Sequence, residues 1–408
     1  MKPIFTLICA SIFLLSCKTK KLAEYSPNQK IAEDLSQEFI IMDGHVDLPY
    51  RLKVTNFRLE RDYVGIPIES EKGDFDYKRA KEGGLDGPFM SIYIPSSKDQ
   101  KQAKLLADTL INMVRWIAEE NNSFFHLANS PSDVELAKSN GKIALPMGME
   151  NGSPISKLQD AAYFRSRGIS YVTLTHAKDN HICDSSYDTT ATWHGLSPFG
   201  YLLVPELSKQ GIMIDVSHIS DNAFYDVLEV APVPLMASHS SARKFVPGFE
   251  RNMSDDIIAK MGENGGVIMI NFGSTFIDGE VSEHRQMQRE SLKKLLDEKG
   301  VTAESEEGKV IVEEFKKNNP SVYADVKRVA DHIDHVVEVA GIDHVGFGSD
   351  YDGVGDSLPT GLKDVSDYPN LIAELLDRGY TKDEIEKICY KNLFRVWQAT
   401  IDYSNSFP

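Results

Sequence analysis

The sequence predicts an α/β fold of the (β/α)₈ barrel class. Eight short apolar runs alternate along the chain with longer amphipathic stretches. The runs are rich in Ile, Val, Met and Phe and are hydrophobic almost without interruption, which is typical of parallel strands buried on both faces. The length of 408 residues is enough for one large barrel, and eight strands with intervening helices are what such a barrel needs.

The apolar runs are the predicted strands, and the amphipathic stretches between them are the predicted helices. The strands are Phe39–Gly44, Phe89–Ile94, Ile143–Met149, Ser170–Thr175, Ile212–Ser217, Val233–Ser238, Val267–Asn271 and His344–Ser349. The helices are Gln102–Glu120, Ser132–Ser139, Lys157–Arg167, Phe199–Gln210, Ser220–Val230, Ser254–Asn264 and Tyr323–Ala340. Glycines near several helix ends, such as Gly168 and Gly211, are typical of left-handed C-caps.

Two connections are unusually long. One follows the first strand, from about residue 51 to residue 88, and the other is an insertion at about 273–320 before the last strand. The insertion is heavily charged and has a helical pattern. It is consistent with a lid, a partner surface or a solvated excursion, and we favour the last interpretation.

The first residues differ in composition from the rest of the chain. Lys2 precedes an apolar run from Ile4 to Leu15, which indicates a secretory signal and is too short to span a bilayer comfortably. The run ends in Leu-Leu-Ser-Cys, which resembles a lipobox with Cys17 as the lipidated residue. An ordinary signal peptide with an incidental cysteine is the alternative. We therefore predict a lipoprotein signal peptide at 1–17, a tether and first helix at 18–36, a barrel at 37–408, and anchoring to a bacterial cell envelope.

Charge and cysteine content exclude several classes of protein. The formal net charge of -17 would repel phosphate backbones, so nucleic acid is not expected as a partner. Outside the leader only Cys183 and Cys389 remain, and their spacing predicts neither a disulfide framework nor a thiolate metal site. No phosphate loop, dinucleotide motif or nucleophile elbow occurs.

Residues that could carry chemistry lie at or just after the carboxyl ends of the predicted strands. These ends meet at one rim of a barrel, where barrel enzymes place their active sites. The residues are His45, Asp47, Glu150, His176, His218, His239 and Asp350.

Five of these residues form a plausible two-metal centre. His45 and Asp47 are two apart on a strand, so their side chains point the same way. Glu150 has two carboxylate oxygens and could bridge two ions at a spacing of ~4 Å. His218 and His239 end two strands, and imidazole suits zinc. Each motif alone is weak, but together they leave coordination positions open for substrate, as catalytic zinc requires.

The remaining candidates are assigned to substrate and proton handling. We interpret His176 as a donor to substrate or to a developing oxyanion. Asp350 is a natural proton shuttle, and Asp352 stays open as the alternative. Arg251 could grip a substrate carboxylate, although a surface arginine is an equally good interpretation. His332 and His335 are interpreted as the polar outer face of a helix.

Together these motifs resemble the renal or membrane dipeptidase family of metal-dependent barrel hydrolases, in order over nearly the whole chain after the leader. The resemblance implies a binuclear zinc site bridged by Glu150, with dipeptides as substrates. The matching segments are residues 43–49, 148–152, 174–176, 215–218, 238–242, 251–252 and 348–353.

The resemblance also distributes the roles of individual residues. One zinc ion would take His45 and Asp47, and the other would take His218 and His239. His176 and Arg251 would contact substrate, and Asp350 would handle protons. Family members include enzymes that accept a D-residue at the C-terminal position or open β-lactams, and they are often homodimers. The long insertion and the N-terminal lipid, in place of a C-terminal glycolipid, depart from the animal members.

Two other functions are consistent with the sequence. The first is another metal-dependent amidohydrolase activity, of lactamase, lactonase or deaminase type, on the same ions. Arg251 distinguishes it from a dipeptidase, because a substrate without a free carboxylate gains nothing from the guanidinium. The second is a non-catalytic envelope binding lipoprotein, against which the complete ligand set argues.

Overall fold

The computed structural model describes residues 26–54 and 68–407, and the predicted leader with Cys17 lies outside them. In the described part, eight parallel strands form a nearly closed barrel, which confirms the predicted fold class. Between the first and last strands, Asp350 N donates to His45 O at 3.1 Å and Asp47 N donates to Tyr351 O at 2.8 Å. The strands, in pairing order, are β1 (Ile41–Val46), β2 (Leu85–Tyr93), β5 (Met147–Glu150), β6 (Ile169–Thr173), β7 (Met213–Asp215), β8 (Met236–Ser240), β9 (Val267–Ile270) and β10 (Val345–Phe347).

Helices surround the barrel, and most begin at a side chain that caps the first turn. Ser130, Ser197 and Ser220, for example, each accept a hydrogen bond from a backbone N–H three residues later. The helices are α1 (Gln29–Glu38), α2 (Leu48–Val54), α3 (Tyr77–Gly83), α4 (Gln100–Glu120), α5 (Pro131–Ser139), α6 (Gln159–Ser166), α7 (Pro198–Lys209), α8 (Asp221–Val230), α9 (Asp255–Glu263), α10 (Ser274–Ile277), α11 (Gly279–Lys299), α12 (Glu306–Asn318), α13 (Val326–Ala340), α14 (Tyr368–Asp377), α15 (Lys382–Glu386) and α16 (Asn392–Asn405).

The barrel interior is a packed core that is closed at the amino ends of the strands. Met213 and Met236, at the starts of β7 and β8, belong to the same buried cluster as Trp397 of α16. The indole of Trp397 lies 5.1 Å from the ring of Phe89, measured between ring centres. Helix α16 was not among the predicted helices. Because this helix covers the amino end, only the carboxyl rim remains for a site.

One predicted strand is wrong. The run Ile143–Met149 is divided at Pro146 into β4 (Ile143–Leu145), which pairs outside the barrel with β3 (Phe125–Leu127), and β5, which enters the barrel. Proline has no N–H to donate to a ladder, so the run cannot continue as one strand. The carbonyl oxygen of Pro146 still accepts a hydrogen bond from Met90 N at 2.8 Å.

His332 and His335 do not form a solvated outer face, as the helical pattern had indicated. Both are buried on α13. His332 Nδ1 accepts from Ala242 N at 3.0 Å, and its Nε2 donates to Ile277 O at 2.9 Å, so this imidazole joins α13 to the loop after β8. His332 and His335 are therefore structural residues. The helical periodicity of the sequence alone does not show which face of a helix is buried.

The insertion is helical, as predicted, and consists of α10, α11 and α12. Cys183 and Cys389 are free and buried, also as predicted. In the part of the chain that the structure describes, no helix combines the length and the apolar character needed to cross a bilayer.

Candidate active site

The structure brings the predicted rim residues together in one cavity of about 840 Å³ at the carboxyl ends of the strands. His45 is fully buried and contacts the cavity through Glu150, whose Oε2 lies 3.2 Å from His45 Nε2. The insertion also contributes to the cavity wall, through residues such as Phe276 of α10 and Arg285 of α11. The insertion is therefore more than the solvated excursion that we favoured from the sequence. The other predicted residues that line the cavity are Asp47, Glu150, His176, His218, His239, Arg251, Asp350 and Asp352.

Glu150 is the centre of the cluster. Its Oε2 lies 3.2 Å from His45 Nε2. Its Oε1 lies 3.1 Å from His218 Nε2 and 3.4 Å from His239 Nε2. His176 Nε2 is also 3.4 Å from Oε1. The two oxygens of one carboxylate therefore face two different sets of imidazoles.

A second acidic group lies on the His45 side of Glu150. Asp47 Oδ2 is 3.6 Å from His45 Nε2. His45 lies in β1 and Asp47 directly follows it, and residues two apart in an extended chain point to the same side. Potential ligand atoms of His45, Asp47 and Asp350 all lie within 4.8 Å of one another. His45, Asp47 and Glu150 Oε2 are the imidazole and carboxylate donors that could hold one metal ion, and Asp350 lies next to them.

The backbone at the rim is strained at functional positions. His218 and Asp350 have left-handed φ angles of 69° and 62°. Such conformations cost about 1–3 kcal/mol for residues other than glycine and concentrate at active sites. A Cβ atom on Gly353 would lie 2.1 Å from Asp350 Oδ1 and 2.2 Å from Asp47 Oδ2, so glycine keeps the space beside both carboxylates open.

The tautomers of two imidazoles are set by partners that the sequence analysis did not single out. Tyr171 Oη lies 2.8 Å from His45 Nδ1. Ser238 Oγ donates to Asp215 Oδ2 at 2.6 Å and lies 2.7 Å from His239 Nδ1, from which it accepts. Both arrangements leave Nε2 directed at Glu150, as in metal sites where an outer partner orients the histidine. A carboxylate within the apolar run of β7 was the available signal for Asp215, because buried charge requires partners.

Asp350 and Asp352 have different surroundings. Asn271 Nδ2 donates to Asp350 Oδ2 at 2.8 Å, which leaves Oδ1 facing the space beside Gly353. Asp352 Oδ1 accepts from Asp74 N at 2.6 Å, and its Oδ2 lies 3.1 Å from Arg51 Nε. Asp352 is therefore engaged in holding two loops together, whereas Asp350 Oδ1 accepts no hydrogen bond from the described residues.

Arg251 is not a surface residue, because it is only 3% exposed. Its Nη1 donates to Ser240 Oγ at 2.7 Å, and its Nη2 donates to His239 O at 2.6 Å. Nη2 also lies 3.2 Å from His218 Nε2. The guanidinium is thus fixed in the cavity wall beside the imidazole cluster.

Burial and neighbouring charge set the ionisation of the cluster. Burial, together with the cation of Arg251, lowers the pKa of His218 and of His239 well below the usual range. Burial opposes ionisation of Glu150, but His45 and the other imidazoles hold its pKa well below normal. Burial, with the carboxylates of Asp47 and Glu150, raises the pKa of Asp350 to about 8. Burial lowers the pKa of His45, but Tyr171, Glu150 and Asp47 outweigh it and raise that pKa well above the usual range. The neutral imidazoles of His218 and His239 and the ionised carboxylate of Glu150 are the forms that bind metal.

The comparison with known protein families gives a match over almost the entire described chain. The model of the membrane dipeptidase family (peptidase family M19) matches residues 29–408. The chain belongs to this family. It is therefore a metal-dependent dipeptidase, and the predicted family is confirmed.

Proteins similar to this chain include a sequence relative and two solved structures. Dipeptidase tcpJ of Claviceps purpurea is 30% identical over 379 residues, which are 89% of this chain and 78% of that protein. The fold is similar to that of the probable dipeptidase PvdM of Pseudomonas aeruginosa, with a TM-score of 0.77, 24% identity, and coverage of 92% of this chain and 98% of that one. A metallopeptidase of Rhodobacter sphaeroides gives a TM-score of 0.73 and 24% identity, with coverage of 89% and 99%.

The site of this dipeptidase fits divalent metal ions. His45 Nε2 is buried and has no hydrogen-bond partner among the described residues, although two carboxylates lie near it. A buried nitrogen of this kind is costly unless it has a partner, and a metal ion supplies one. The donors are imidazole nitrogens and carboxylate oxygens, a set that suits zinc.

Proposed function

We propose that this membrane dipeptidase is a binuclear zinc enzyme in which Glu150 bridges the two ions. The observation that carries the proposal is the position of Glu150, whose Oε2 faces His45 while its Oε1 faces His218 and His239. His45 and Asp47 would hold one ion, and His218 and His239 would hold the other. When bound, two such cations activate water for attack and polarise the peptide carbonyl.

The residues of the chain then bind the substrate and move protons. Arg251 binds the free carboxylate of the dipeptide, which explains a restriction to short peptides. His176 Nε2, on the cavity side of the cluster, donates to the carbonyl oxygen as negative charge develops there. The ionised form of Asp350, which the charge of the bound cations would favour against the effect of burial, accepts a proton from the attacking water at Oδ1 while Asn271 holds Oδ2. The same oxygen then returns the proton to the leaving amine.

We also propose that the enzyme accepts a D-residue at the C-terminal position of the dipeptide. The structurally similar metallopeptidase of Rhodobacter sphaeroides was crystallised with a phosphinate mimic of L-Ala-D-Ala. In this chain the side chain of the C-terminal residue would face a wide cavity of about 840 Å³, which has room for either configuration.

A substrate panel tests the proposed reaction. We expect the zinc-loaded protein to hydrolyse L-Ala-L-Ala and L-Ala-D-Ala, and to hydrolyse the corresponding dipeptide amides poorly because they lack the carboxylate that Arg251 binds. A β-lactam and a lactone serve as controls for the alternative amidohydrolase activities. Turnover of the lactone with no turnover of either dipeptide would reject the proposal.

We further propose that the protein is anchored to the bacterial envelope through a lipid on Cys17, based on the apolar run from Ile4 to Leu15 and the lipobox-like Leu-Leu-Ser-Cys. Cys17→Ser removes the acceptor thiol, so the mature protein should leave the membrane fraction or stay unprocessed. Mass spectrometry of the N-terminal peptide measures the modification directly. An unmodified N-terminus at another residue would show that the lipobox interpretation is wrong.

A further inference from the structure

The outer wall of the cavity carries two arginines that the mechanism does not use. Arg285 and Arg289 lie four residues apart on α11, and both line the cavity that contains Glu150. We propose that these two guanidinium groups form a subsite for an acidic substrate side chain, so that the enzyme prefers dipeptides containing Asp or Glu. This inference rests on the proposed dipeptide hydrolysis and names a substrate class for it.

Arg285 is fixed at the cavity wall. Its Nη2 donates to Asp356 O at 2.6 Å, and its Cζ lies 5.2 Å from the centre of the Tyr323 ring. Its Nε has no hydrogen-bond partner within residues 26–54 and 68–407. A guanidinium has five N–H donors, and the backbone carbonyl and the ring leave most of them for a ligand. Because the group is already held, little conformational entropy is lost when an anion binds.

The spacing of the two arginines is unfavourable for the helix alone. Like charges four residues apart on one face weaken a helix. Elsewhere on α11 such positions pair opposite charges, as with Lys294 Nζ and Glu298 Oε1 at 4.0 Å. Among the residues that the structure describes, neither Arg285 nor Arg289 has a carboxylate oxygen within 4.0 Å, although the net charge of the protein is -17. An anionic ligand would remove this repulsion.

The acidic groups of the outer cavity already have partners. Asp352 pairs with Arg51, and the Asp356 carboxylate accepts from Tyr323 Oη at 2.5 Å and from Ser321 Oγ at 3.3 Å. The two hydroxyl donors are neutral, so Asp356 keeps its negative charge and offsets one of the two guanidinium groups. One net positive charge from α11 therefore remains in the outer cavity. Carboxylates match guanidinium groups in shape and can bind them through two parallel hydrogen bonds. Since Arg251 takes the main-chain carboxylate, the second anion is a side-chain carboxylate.

Matched pairs of dipeptides test the subsite. Ala-Asp against Ala-Asn, and Asp-Ala against Asn-Ala, differ only in the charge of one side chain. For the zinc-loaded enzyme we expect kcat/KM about tenfold higher for the acid than for the amide in at least one pair, mainly through a lower KM. In the double variant Arg285→Gln and Arg289→Gln that ratio should fall to about one. The double lysine variant keeps the charge and should retain part of the preference.

Lys293→Gln is the control for a lost cation on α11, because Lys293 is exposed and does not line the cavity. It should leave the acid-to-amide ratio unchanged. Equal kcat/KM for acid and amide in both pairs of the unmodified enzyme would overturn the subsite, while hydrolysis of the neutral dipeptides would still support the proposed function. An equal loss of kcat/KM for the acid and the amide dipeptide in the double glutamine variant would also overturn the proposed subsite. Failure to hydrolyse any dipeptide would instead reject the proposed function itself.

Discussion

Replacement of Asp350 by asparagine should lower kcat by about 10²–10⁴-fold, because the variant keeps the shape of the side chain but loses the proton acceptor. The hydrogen bond from Asn271 Nδ2 ends on Oδ2, so Oδ1, which lies beside Gly353 and Asp47, is the oxygen that the change affects. Metal content should stay the same, since Asp350 is not among the five proposed zinc ligands. Steady-state kinetics on L-Ala-L-Ala, with metal analysis of each preparation, measures both quantities.

Asp352→Asn is the matched control for this prediction. Asp352 also lines the cavity and is two residues away, but its oxygens are occupied by Asp74 N and Arg51 Nε. Loss of that ion pair should lower the melting temperature, while kcat should change little. If Asp350→Asn kept full kcat while Asp352→Asn lost it, the proton shuttle would be Asp352.

Arg251→Ala should lower kcat/KM for dipeptides by roughly 30- to 1,000-fold. The lost interaction is a charge-assisted bidentate pair worth on the order of 2–4 kcal/mol when one partner stays buried, and ~1.4 kcal/mol corresponds to a factor of ten. Dipeptide amides, which lack the carboxylate, should already be poor substrates and should lose little more. Parallel kinetics on acid and amide substrates give the two effects in one experiment.

Arg251 also supports the site, because it donates to Ser240 Oγ and His239 O. Arg251→Lys tests this second role, since lysine keeps the charge but cannot form the bidentate pair. Lysine should therefore recover a small part of the dipeptide activity. Equal losses of acid and amide hydrolysis in both variants would mean that Arg251 is structural, and the carboxylate-binding part of the mechanism would have to be abandoned.

The sequence could predict the barrel and the site because both follow from position along the chain. Parallel strands buried on both faces are recognisable as apolar runs, and their carboxyl ends meet at one rim. His45, Glu150, His218 and His239 each follow or end such a run, so their convergence needed no knowledge of side-chain contacts. Pro146 is the local signal that divides one apolar run into two strands.

Contacts between residues distant in sequence could not be predicted. Tyr171 and His45 are 126 residues apart, and Asn271 and Asp350 are 79 apart, so only the folded chain shows that one positions the other. The same holds for the insertion. Its charge pattern predicted helices, but the presence of Arg285 in the cavity wall depends on how α11 packs against the loop after β10.

Titration of the metal-free protein with zinc, followed by hydrolysis of L-Ala-L-Ala, shows how many zinc ions the centre at Glu150 needs for activity. Four ligands, two on each side of the Glu150 carboxylate, predict that activity rises with added zinc and stops rising at two equivalents per chain. Chelation should abolish the activity again. Full activity in the metal-free protein, or a plateau at one equivalent with no second ion bound, would contradict the account.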